Sequence, residues 1–240
     1  MTAARLLVDP SRLRGLCMPR LFTYTIPVDD GAAPNPFFGM CSLAICKPRI
    51  RRVAGVGDWV AGLGSRNAPS GDLSGHLVYA MRVDEVLPMA DYDEQAKNRW
   101  PHRIPKPQSR AMEERLGDCI YDFSHGMPRQ RPGVHGPGNL EADLGGENVL
   151  ISRHFYYFGR NAVKLPDGLN EICHQTQGHR SNANIPYYSI FEKWIRESDW
   201  ERGQVYGWPD CVVKWSAGEG CKGGCETRTA DSGHACFVDS

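Results

Sequence analysis

Cys46 has the surroundings of a usable thiol. It stands two residues before Pro48, a residue suited to the first turn of a helix, and next to Lys47, so a helix end and a cation would both favour its thiolate. Asp58 and His76 bracket a Gly-rich hairpin and would form a base or orienting pair if that hairpin brought them together. The plainer alternatives are a buried, inert Cys46 and an Asp58 that only closes its own turn. Lys47, Arg49, Arg51 and Arg52 form a local cationic patch on the same short helix, where phosphate would be sought. A solvated helix face is the competing reading. Aromatic groups make a third set: Phe37 and Phe38, Trp59, Tyr79, and the run Phe155-Tyr156-Tyr157-Phe158. Stacking on such rings is worth ~1–3 kcal/mol per base. Strand alternation puts Phe155 and Tyr157 on one face and Tyr156 and Phe158 on the other, so at least half of that run is core. Asn35, on a proline-stiffened loop, can pair with a base edge. Cys221, Cys225, His234 and Cys236, with Cys211 nearby, have the ligand types of a tetrahedral zinc site, but their spacing fits no common zinc knuckle. Cys173, His174 and His179 form a weaker set. No other cofactor is expected.

The composition limits what these groups can belong to. Basic and acidic residues balance at 28 each, so no global field draws the 240-residue chain to DNA or to an acidic membrane. Phosphate affinity must be local. Gly and Pro, at 26 and 17, exceed ordinary usage and disfavour a helical bundle. No apolar run reaches the ~18 residues of a membrane span, and residues 1–17 lack the apolar stretch of a secretion signal. The expectation is a cytoplasmic protein in which the nine cysteines are mostly small buried residues rather than a disulfide framework.

The elements that must position these side chains follow from pattern. Residues 1–17 read as an extension and 18–210 as the domain, with 211–240 a Cys/Gly-rich tail; both ends are expected to be disordered. Residues 20–26 form a strand, and 31–39 a shaped loop broken by Pro34 and Pro36. Residues 40–46 give a short strand, and 47–54 a short helix opened by Pro48. Residues 58–64 and 74–89 form two strands joined by a hairpin loop, the second carrying a bulge at Asp84–Glu85. Residues 90–98 are a polar helix. Six prolines break 99–148, a loop-rich insertion of the kind that is a lid or is disordered. Two strands meet near Ser152–Arg153. Residues 185–198 make an amphipathic helix with Tyr187, Ile190, Phe191, Trp194 and Ile195 on one face. The fold class is α+β: a small bent β-sheet or barrel with flanking helices.

The stretches FTYTI, GAAPNPFFGMCSLAICKPRIR, VGDWVAGLGS, GHLVYAMRVDEV and NVLISRHFYYFG, with the later GHR, resemble the second family of nucleotide-modification-associated domains. The resemblance covers about Pro19–Pro209, is thin across 99–148, and leaves out the N-terminal extension and the tail. It implies a bacterial or phage base-modification system, with DNA or a nucleotide and other base-modification proteins as partners, and no membrane. GDWV followed by a Gly-Ser turn also looks like the EVE and ASCH branches of the PUA-like superfamily, which implies a β-barrel holding a base in a pocket. On this reading Lys47, Arg49 and Arg52 hold phosphate, Phe37, Trp59, Tyr79 or Tyr157 stacks, and Asn35, Ser65 and His76 meet the base edge. The first alternative is an enzyme acting on a base or nucleotide through Cys46, Asp58 and His76. The second is a structural docking subunit of a modification complex.

Overall fold

The computed structural model describes residues 18–174 and 178–211. Its main sheet starts with β1 (Leu21–Ile26), whose Phe22, Tyr24 and Ile26 alternate with Leu21 and Thr23 so that both faces are buried. β3 (Trp59–Gly64) lies parallel to β1 and antiparallel to β4 (His76–Arg82). Gly62 sits opposite Tyr79 in that pairing, and a Cβ there would run into the Tyr79 ring, so the position requires glycine. β9 (His154–Tyr157) and the short β10 (Val163–Lys164) both pair with β4. β11 (His179–Arg180) closes one edge beside β1, and β12 (Gln204–Val205) the other beside β9. The sheet is therefore open, with order β11-β1-β3-β4-β9-β12, and no closed barrel forms among the described residues.

A second sheet has the order β2-β8-β5, from β2 (Cys41–Leu43), β8 (Asn148–Ser152) and β5 (Glu85–Pro88). The parity slip expected as a bulge at Asp84–Glu85 is a corner between the two sheets. The chain leaves β4 at Arg82 and enters β5 at Glu85, while β8 and β9 make the reciprocal crossing at Arg153. Asp84 fixes the corner: its N–H donates to Ile151 O at 2.8 Å, and its carboxylate accepts from Arg153 N–H at 2.5 Å.

Layers follow from the alternation. α5 (Tyr188–Glu197) buries Phe191 and Ile195 on one face of the main sheet, against Trp59, Tyr156 and Phe158. Of the other residues expected on that face, Tyr187 and Trp194 pack partly buried against the same cluster, whereas Ile190 is 47 % exposed. The opposite face packs Phe22, Tyr24, Tyr79, Phe155 and Tyr157 against the second sheet and α1 (Pro48–Val53). Beyond the second sheet lie α2 (Met89–Asn98) and the segment 99–148. That segment is no loose flap. It carries α3 (Met112–Arg115), the β6–β7 ribbon (Tyr121–Asp122 with Arg129–Gln130) and α4 (Leu140–Leu144), and it buries Leu116, Cys119, Ile120, Tyr121 and Val134.

Candidate active site

Between β2 and α1 the chain turns sharply, and Cys46 and Lys47 both take left-handed backbone conformations, with φ of 57° and 42°. For non-glycine residues each costs roughly 1–3 kcal/mol, so surrounding bonds must hold them there. They do. The Cys46 N–H donates to Asp143 Oδ1 at 2.8 Å, and its carbonyl accepts from Arg51 Nε at 2.7 Å. Arg51, fully buried, also donates to Asn148 O at 2.8 Å and to Asp143 O. A Cβ on Gly146 would strike the Arg51 guanidinium, so this clamp exists only because residue 146 lacks a side chain.

The held cysteine faces a histidine. Cys46 Sγ lies 3.2 Å from His135 Nε2, and His135 Nδ1 lies 2.6 Å from Asp143 Oδ2. Tyr121 donates its hydroxyl to the same Oδ2 at 2.9 Å, while Gln130 Nε2 holds the His135 carbonyl at 2.7 Å. Asp143 thus orients the imidazole and leaves Nε2 toward the thiol, the geometry of a nucleophile, a base and a base-orienting carboxylate. Burial and the neighbouring Asp143 push the Tyr121 phenol up, so it stays a neutral donor. Burial depresses Arg51, and Asp143 opposes that depression. Burial pushes the Cys41 and Cys119 thiols up, and neither has an imidazole partner among the described residues.

The sequence singled out Cys46 as a candidate thiol, but not the His135 and Asp143 that lie beside it. His135 and Asp143 come from the segment read as a lid, and His135 is 89 residues from Cys46. The Gly- and Pro-rich surroundings of His135 signal a fixed loop without pointing to the cysteine. Asp58 and His76 are not a pair. The β3–β4 register sets Trp59 against Arg82 and Leu63 against Leu77, so the two lie at opposite ends of the hairpin, about 20 Å apart at strand rise. Asp58 closes its turn through Gly55 N–H at 2.9 Å and binds Arg20 at 2.9 Å; His76 Nδ1 meets Ser74 O at 2.9 Å.

The residues assigned to base recognition do not converge on one hollow. Trp59 is 1 % exposed, edge-on to His154 and Phe191. Tyr79 and Tyr157 are sealed in the core, with hydroxyls on Tyr24 and Asp29 at 2.9 and 2.6 Å. Asn35 is buried between Leu116 O and Arg103. No open ring face or amide remains at those positions for a base. Ser65 caps the hairpin loop through Asn67 N–H at 3.2 Å. Of the cations, Arg51 is internal, Arg52 pairs with Glu147 at 3.4 Å, the Lys47 ammonium lies 4.6 Å from the Tyr24 ring centroid, and Arg49 is exposed. Phe37 packs beside Trp208 at 6.2 Å. Cys221, Cys225, His234 and Cys236 lie outside the described residues. Among the described residues, no group of His, Cys, Asp and Glu is arranged to hold a metal ion, and no helix is long and apolar enough to cross a membrane.

Residues 18–217 match the family of nucleotide modification associated domain 2. The chain belongs to that family. No curated protein and no solved structure matches it. Membership in the nucleotide modification associated domain 2 family ties the chain to nucleotide-modification systems, and the match takes in every residue of the Cys46–His135–Asp143 relay.

Proposed function

We propose that this protein is a thiol-dependent enzyme of a nucleotide-modification system, acting on an acyl or amide group carried by a base or nucleotide. The single observation that carries the reading is the Cys46–His135–Asp143 relay. His135 Nε2 takes the thiol proton as the Cys46 sulfur bonds to the carbonyl carbon. The carbon–nitrogen or carbon–oxygen bond then breaks, and His135 gives that proton to the departing amine or alcohol. Water adds to the resulting thioester, passing a proton through His135 to the released thiolate, and the acid leaves. The Cys46 N–H already serves Asp143, so the developing oxyanion must be met by other donors.

The test is alkylation of the native protein by iodoacetamide, mapped by peptide mass spectrometry. Cys46 labels at least ten-fold faster than Cys41 and Cys119, and His135→Gln slows that labelling while circular dichroism shows the fold retained. Labelling of Cys46 no faster than that of Cys41, or unchanged by His135→Gln, sinks the proposal. Recognition without chemistry is the second reading. It keeps the support of Arg49, exposed on α1, and of Phe37, which borders an aromatic cleft.

A further inference from the structure

A cleft of about 720 Å³ opens between the loop 36–39 and the segment 203–208, and none of the relay residues lines it. Its walls carry Phe38, Tyr206 and Trp208, which are 49 %, 36 % and 43 % exposed. Soluble proteins seldom gather several exposed rings around one hollow without a use for them. Each ring is backed. Tyr206 stacks on Phe158 at 5.5 Å and 21°, Phe38 leans on His102 at 4.4 Å, and Trp208 packs on Phe37. The backbone beneath them is fixed as well. Tyr206 N–H donates to Tyr157 O at 2.7 Å, Arg160 N–H to Trp208 O at 2.9 Å, and Asn161 Nδ2 to Tyr206 O at 2.8 Å. On the opposite wall, Arg103 holds the Phe37 carbonyl at 2.8 Å. These rings are pre-positioned, so little ordering entropy is lost when a flat ligand slides among them.

The polar groups say what that ligand carries. Arg160 lines the cleft, is exposed, and forms no ion pair among the described residues. Glu113 lines it too. Arg160 attracts an anion and Glu113 repels one, whereas a neutral ring with polar edges is accepted among the aromatic side chains. The geometry points to a nucleotide site: a base stacked among Phe38, Tyr206 and Trp208, with its phosphate on Arg160. This site replaces the buried Trp59–Tyr79–Tyr157 set as the place where a base can reach an open ring face. It is independent of the thiol chemistry.

A base with its phosphate can come as a free nucleotide or as part of a single strand, and titration of the full chain with each separates the two. Intrinsic tryptophan fluorescence is followed against the four deoxynucleoside monophosphates and, separately, against a short single-stranded oligodeoxynucleotide. Saturable quenching is expected in at least one arm; oligonucleotide alone indicates a strand, and both indicate the mononucleotide unit. Trp208→Ala, followed by anisotropy of a labelled oligonucleotide or by calorimetry, weakens binding roughly ten-fold. Arg160→Glu, an exposed change that leaves the fold intact, weakens it similarly and flattens its salt dependence by about 0.7 in slope for a single strand. No saturation in either arm, or affinity unmoved by both variants, overturns the site. Cys46 alkylation and nucleotide affinity are separate readouts of the wild-type protein, so failure of one leaves the other standing.

Discussion

Asp143 is a buried carboxylate on which three donors converge: the Cys46 N–H, the Tyr121 hydroxyl and the His135 ring. Removing it leaves all three without their acceptor and the nearby Arg51 guanidinium without its closest anion. Asp143→Ala should therefore cost roughly 3–5 kcal/mol, read from urea unfolding. Asp143→Asn is the sharper experiment. Its amide oxygen can still receive the Cys46 N–H, so much of the stability survives, but its NH₂ then faces His135 Nδ1. That favours the opposite tautomer, with Nε2–H pointed at the sulfur, and the imidazole can no longer take the thiol proton. Iodoacetamide labelling of Cys46 in Asp143→Asn should fall about ten-fold or more, the scale of losing a general base. Labelling at the wild-type rate would mean that the carboxylate supports the turn and nothing else.

Among the elements, the loop between β1 and β2 depends on one side chain. Arg103, fully buried, donates to Asn35 Oδ1 at 2.6 Å, Ser42 Oγ at 3.0 Å, Phe37 O at 2.8 Å and Met40 O. It is also the nearby cation for Asp118, whose carboxyl burial pushes up and Arg103 pulls down. Arg103→Met removes the clamp and leaves Asp118 without that cation. Amide exchange should accelerate across residues 37–42 while the β3–β4 amides stay protected; uniform acceleration would mean global destabilisation instead. Such contacts mark how far sequence could reach. Local pattern carried β1, β3, β4, β8, β9, α1 and α2, because alternation, Pro48 and the polar run at 90–98 act within a few residues. It failed where partners are distant. Arg103 meets Asn35 across 68 positions, and the relay histidine sits among prolines and glycines that carry no periodicity. For the same reason Trp59 and Tyr79 looked available: their alternation shows a strand, but only the packing of α5 and of the second sheet shows that both faces are covered.

Over the whole molecule, opposite charges balance, so the pH dependence of stability rests on a few buried groups rather than on net repulsion. Asp29 is one of them. It follows β1, receives the Tyr157 hydroxyl from β9 at 2.6 Å, and its carbonyl accepts the Cys211 N–H at 2.9 Å, so it ties three distant parts of the chain together. Burial raises its carboxyl to about 7, against the partial relief of the Tyr157 bond, and Asp30 and Asp210 push it the same way. A carboxyl that holds its proton more tightly folded than unfolded favours the native state when protonated. That contribution is lost as pH rises from the unfolded value of 3.8 toward 7. His102, His154 and His179, which burial depresses, act with the opposite slope, so the wild-type curve alone cannot isolate Asp29. The comparison with Asp29→Asn can, because the amide keeps an oxygen for Tyr157 and never ionises. From about pH 5 to about pH 8 the variant should gain on the wild type by roughly 2–3 kcal/mol, one pH unit being worth about 1.4 kcal/mol while the difference in protonation persists. Urea unfolding at several pH values measures that gap. A gap that stays constant would show that Asp29 is already ionised in the folded protein and that Tyr157 holds it as an anion.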